Sequence, residues 1–101
     1  MKNVILLDEN QTCFDSRRSN TTDNVIGSPI YNQTLDYILN KVSEWMKPFE
    51  GIEDEVEIEV DSHIPYDGTS CISDSPKTSG ERLVDILNGR GFRARVIECG
   101  V

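Results

Sequence analysis

Four consecutive aliphatic residues, Val4-Ile5-Leu6-Leu7, stand between Lys2-Asn3 and Asp8-Glu9 near the start of the chain. Side chains on a strand alternate between its two faces, so an unbroken apolar run is stable as a strand only where both faces are covered. That requirement points to a mostly parallel sheet with other elements packed over it, and makes an α/β (or α+β) architecture the expectation. The chain has 101 residues, enough for one such arrangement and one modest core, so 1–101 reads as a single acidic α/β domain. The same tetrad is the longest apolar run, far short of the roughly 20 residues a spanning helix needs. After Lys2 it breaks off at Asp8 and Glu9, which leaves no secretory h-region. The expectation is a cytoplasmic, intracellular protein with no membrane partner.

Four further elements follow from periodicity. Tyr31, Leu35, Ile38, Leu39, Val42, Trp45 and Met46 recur every three or four residues, which predicts a helix from Pro29 to about Lys47. Ser28 is its expected N-cap, Pro29 its first residue and Pro48 its stop. Glu55–Asp61 alternates strictly, with Val56, Ile58 and Val60 facing inward and the acids facing water. A second helix spans about Ser79 to Asn88, with the Thr78/Glu81 capping-box spacing at its start and Gly89 or Gly91 ending it. A last strand runs from Phe92 to Cys99. Between the first strand and first helix lie about twenty mostly polar residues, Asp8–Gly27. They are too long for an idle loop and are compatible with a hairpin in 9–27 whose arms are Cys13-Phe14 and Val25-Ile26. The order β–loop–α–β–loop–α–β predicts about three mostly parallel strands with two helices. The final βαβ unit is expected to be parallel and to set Arg93 and Arg95 beside the acidic row.

Composition restricts the partners. With 37% hydrophobic and 28% charged residues the chain is too apolar to be disordered. Eighteen acids against ten Lys and Arg leave a net charge of −8, which disfavours direct nucleic-acid binding and favours a basic protein partner. Cys13, Cys71 and Cys99 form no C-x-x-C pair and His63 is the only histidine, so neither a structural zinc site nor another metal or cofactor is expected. The three cysteines read as free thiols.

Two segments could carry function. From Glu50 to Asp61 seven of twelve residues are acidic: Glu50, Glu53, Asp54, Glu55, Glu57, Glu59 and Asp61. Carboxylates two apart on a strand repeat at about 6.6 Å, close to the phosphate spacing along a DNA strand. In size and charge alone the chain is similar to small acidic proteins of viral or plasmid origin that block nucleases. The plain alternative is a strand face that carries Glu for solubility. Such a row cannot share one ion, because its carboxylates diverge.

The second segment is Ser62–Thr78 and the helix start after it. Loops leaving the carboxyl end of a parallel strand form a crevice, and a helix N-terminus supplies free N–H groups. Lys77, Thr78, Ser79, Gly80 and Arg82 are the candidate anion-binding residues, although Lys-Thr-Ser-Gly lacks the fixed spacing of a P-loop. His63 has triad-type neighbours in Asp61, Asp67, Asp74, Ser70, Cys71 and Ser73, but no nucleophile elbow accompanies them. No catalytic residue is therefore assigned.

The leading expectation is a non-enzymatic protein-binding or inhibitor protein. It would dock its acidic ridge on a basic partner such as a nucleic-acid-processing or defence enzyme, as a nucleic-acid mimic of phage or mobile-element type. The rivals are a small-anion or nucleotide binder using Ser62–Arg82 and a structural component of a larger assembly. The sequence leaves open the partner, the strand order, the oligomeric state and the role of 8–27.

Overall fold

A computed structural model describes residues 2–9, 15, 16, 19, 22–66 and 77–98. The expected hairpin arm Cys13-Phe14, the three cysteines and the loop 67–76 lie outside them. Among the described residues four strands form one sheet: β1 (Asn3–Asp8), β2 (Asn24–Pro29), β3 (Val56–Asp61) and β4 (Ala94–Ile97). Their order is β2-β1-β3-β4 and every neighbouring pair is parallel. Helices α1 (Leu35–Met46) and α2 (Ser79–Gly89) pack against this sheet. The α/β expectation holds, with four strands where about three were expected.

The fourth strand is β2, and it accounts for a misplaced helix start. Val25 and Ile26 lie opposite Val4 and Ile5 in a parallel pair, so they are not the arm of a hairpin. Pro29 closes β2 opposite Asp8 rather than opening a helix. It is tolerated there because β2 is an edge strand, where one missing donor breaks no second ladder. Helix α1 begins six residues later than expected, with Thr34 as its true cap: the Thr34 hydroxyl accepts from the Tyr37 N–H at 3.1 Å. Tyr31, which seemed to continue the apolar stripe, is 64% exposed. In β2 the backbone of Gly27, at φ +137°, passes so close to Leu6 that a Cβ would sit 2.3 Å from the Leu6 carbonyl oxygen.

Most of the core lies on one face of the sheet. Ile5 and Leu7 of β1 and Val56, Ile58 and Val60 of β3 meet Ile38, Leu39, Val42 and Met46 of α1, and Leu83, Val84 and Leu87 of α2. The register pairs Val4 with Glu57 and Leu6 with Glu59, so these acids share the opposite face with Val4, Leu6 and Val25. Helix α2 starts in the expected capping box between Thr78 and Glu81, and Gly91, at φ +93°, lies just beyond its end. Gly80 seats the helix on the end of β3: a Cβ there would lie 2.3 Å from the Asp61 carbonyl oxygen. At the β4 edge the Asn88 side chain accepts from the Ala94 N–H at 2.9 Å and donates to the Ala94 carbonyl at 3.3 Å.

Candidate functional site at the carboxyl edge of the sheet

The chain leaves β1 for β2 on one side and later returns to β3 on the other, so the strand order reverses between β1 and β3. Open parallel sheets place ligands at that point, beyond the carboxyl ends of the strands. Here both strands end in aspartate. One step past the Leu7–Val60 pair come Asp8 and Asp61, on adjacent strands and on the same face of the sheet. Adjacent strands are about 4.8 Å apart, so these two positions are neighbours across the sheet, closer than the roughly 6.6 Å between carboxylates two apart on one strand.

Both aspartates are inside the protein, Asp8 fully and Asp61 with 1% of its surface exposed. Asp8 Oδ1 accepts from the Glu9 N–H at 2.7 Å. Asp61 Oδ1 accepts from the His63 N–H at 3.0 Å, whereas Asp61 Oδ2 is buried without a hydrogen-bond partner among the described residues. Beside them Ser62 Oγ lies 2.9 Å from His63 Nδ1 and donates to Glu98 Oε2 at 3.1 Å. Because Ser62 gives its single proton to Glu98, His63 Nδ1 must donate to Ser62. Ser62 is buried beside Asp61, with its hydroxyl engaged by both His63 and Glu98. The other triad-type residues, Asp67, Ser70, Cys71, Ser73 and Asp74, fall outside the described residues.

The acidic ridge is not the free row that alternation suggested. Strand β3 lies inside the sheet, and the parallel register brings Arg95 opposite Glu59. Glu59 is fully buried and takes a 2.7 Å contact from Arg95 Nη2, while Arg95 Nε bonds Glu57. Lys2 Nζ also reaches Glu57 at 3.2 Å. Burial alone would raise the Glu57 carboxyl, but Arg95 and Lys2 together hold it below the usual carboxylate range. Arg93 does not join the row; its guanidinium donates to the Asp54 carbonyl. Glu57, Glu59 and Asp61 are therefore lost as a phosphate-like array, and only Glu50, Glu53, Asp54 and Glu55 of the ridge remain exposed.

The expected anion site is likewise occupied by its own fold. Thr78 N–H donates to Glu81 Oε1 at 3.1 Å, Glu81 N–H to Thr78 Oγ1 at 3.2 Å, and Gly80 N–H to the Ser62 carbonyl at 3.0 Å. Ser79 Oγ donates to the same carbonyl at 3.4 Å, and Lys77 pairs with Asp85. Arg82 N–H continues the helix by donating to the Thr78 carbonyl. Gly80 and Ser79 thus tie the start of α2 to the end of β3, while the Thr78, Lys77 and Arg82 bonds stay within the helix and its cap.

Sequence reasoning missed Asp8 as a site residue and read Asp61 as facing water, whereas it lies on the expected face with Glu57 and Glu59 but is buried there. The legible signal was that the apolar run Val4–Leu7 and the alternating strand Val56–Val60 each run directly into an aspartate. No family model, curated protein or solved structure matches the chain.

Proposed function

We propose that the protein is a small-ligand binder that holds a divalent cation between Asp8 and Asp61 and, through it, an anionic group such as a phosphate. The observation that carries this reading is the buried, unsatisfied Asp61 Oδ2 beside a second buried carboxylate at the strand-order reversal. A buried carboxylate oxygen with no partner costs on the order of 1–3 kcal/mol, and more for a charged group, unless a counter-charge offsets it. Among the described residues no group of three or more His, Cys, Asp or Glu could enclose a metal. Two carboxylates are the complement magnesium commonly uses, with water and ligand phosphate filling its other positions. The anion would thus be bound through the metal rather than by the capped N-terminus of α2.

The test is thermal unfolding with magnesium or manganese, each with and without inorganic phosphate. Saturation at about a hundredfold excess over Kd adds ~2.7 kcal/mol, or roughly 10–20 °C in Tm for a domain of this size. Asp61→Asn should abolish that rise while raising the Tm of the metal-free protein, because it removes the charge and supplies a donor. A wild-type Tm indifferent to both metals overturns the reading.

A second reading keeps the docking of a basic protein, including a nucleic-acid-processing enzyme, on the acidic surface. It is favoured by the four exposed carboxylates Glu50, Glu53, Asp54 and Glu55 in a chain of net charge −8. Reversing Glu50, Glu53 and Glu55 to Lys should weaken such an association and leave the fold intact. Changing Glu57 or Glu59 would not be a clean test, because both are tied to Arg95.

A further inference from the structure

Where α1 ends and β3 has yet to begin, a groove of about 400 Å³ opens on the surface, lined by Ser43, Met46, Lys47, Glu50, Glu53 and Phe92. Its apolar lining comes from the nearly buried Met46 and the half-buried Phe92. Its rim carries two exposed carboxylates against one exposed ammonium, and Asp54 and Glu55 follow directly in the chain. Hydrogen bonds from the backbone N–H groups of Glu53 itself and Gly51 hold the Glu53 carboxyl below the usual range, so it stays ionised through neutral pH.

We infer that this groove is where a basic partner is gripped, and that its occupant is an arginine or lysine side chain of a protein segment. The inference rests on the second reading above and names the point of contact. Long basic side chains have an apolar stem and a charged head. The groove offers the matching pair: a methionine and an aromatic ring for the stem, and the Glu50 and Glu53 carboxylates for the head. An arginine gains further from stacking on the Phe92 ring. An acidic occupant would meet two like charges at the rim. A wholly apolar one would strand both carboxylates against its surface without hydrogen bonds. Lys47 makes the assignment signed, because it is the one rim charge that opposes a cation.

The experiment is amide NMR titration of the whole chain with a hexa-arginine peptide, with hexaglutamate and a Gly-Ser hexapeptide as controls. The expected result is saturable shifts at Ser43, Met46 and Phe92 with hexa-arginine alone, fading as salt shortens the range of the charges. Glu50→Gln and Glu53→Gln should each weaken binding about two- to fivefold, the scale of an exposed ion pair. Lys47→Ala should tighten it by a similar factor. All three changes are at exposed positions, and unchanged spectra away from the groove verify the fold. Hexa-arginine shifts that avoid the groove, or a weaker complex with Lys47→Ala, overturn the groove assignment while leaving acidic docking standing. No shifts with hexa-arginine at any salt overturn both.

Discussion

Glu59 and Arg95 face each other on β3 and β4, and the pair is unequal: the carboxylate is fully buried while the guanidinium side is 53% exposed. Breaking a buried pair by deleting one partner costs about 3–5 kcal/mol, because a charge is left in a poor solvent. Half-exposure of Arg95 places Arg95→Ala near or below the lower end, at about 2–3 kcal/mol in a urea titration. Adding Glu59→Gln to Arg95→Ala should recover part of that loss, and a double-mutant cycle reads the coupling directly. Gly80 is constrained by space rather than charge. A Cβ would press on the Asp61 carbonyl oxygen and, at 2.6 Å, on Ser62 Cα, both backbone atoms of the strand end that forms the candidate site. Gly80→Ala should cost at least the 1–3 kcal/mol, roughly, of an overpacked core and weaken any metal response along with it.

At the level of elements, α2 and β3 were readable because their signals are local. The Thr78/Glu81 capping box and the Val56-Ile58-Val60 alternation each sit within a dozen residues and appear as expected. The start of α1 was misread because Ser28-Pro29 is an equally good local helix signal. Only the long-range pairing of Pro29 with Asp8 decides against it. The acidic face failed for a related reason. Alternation separates the two faces of a strand but cannot say whether the second one meets water, and neighbours on both sides of β3 bring Arg95 and Lys2 onto it. The cap actually used predicts that Thr34→Ala costs about 1 kcal/mol, by circular dichroism during thermal unfolding. No loss of stability would mean that the Thr34 hydroxyl does not cap the helix.

For the whole molecule the charges set an acid limit. The carboxyls of Glu57, Glu53 and Glu81 all lie below their ordinary value of 4.5 in the folded protein. For Glu57 burial opposes the change and Arg95 and Lys2 outweigh it; for Glu53 and Glu81 backbone hydrogen bonds lead. Folded-state values below the unfolded ones mean that the unfolded chain binds protons first as pH falls. The stability these groups contribute is complete above about 4.5 and drains away through the depressed values. Urea midpoints should therefore be flat from these groups between pH 7 and 6 and fall as the pH drops below about 4.5. A midpoint that rises on acidification would contradict the pairing of Glu57 with Arg95 and Lys2.

The Asn88 amide clasped to Ala94 has an effect that reaches past the single domain. Arg93 gives its carbonyl to Ile58 on β3, so in a parallel ladder Ala94 and Val96 turn their polar groups outward. Asn88 satisfies the first of these two rungs, which leaves too short a free margin for a foreign strand to zip along. Replacing it with alanine would unseal that flank. The variant should form strand-linked aggregates at concentrations where the parent stays dispersed, a change light scattering would register before any loss of helix.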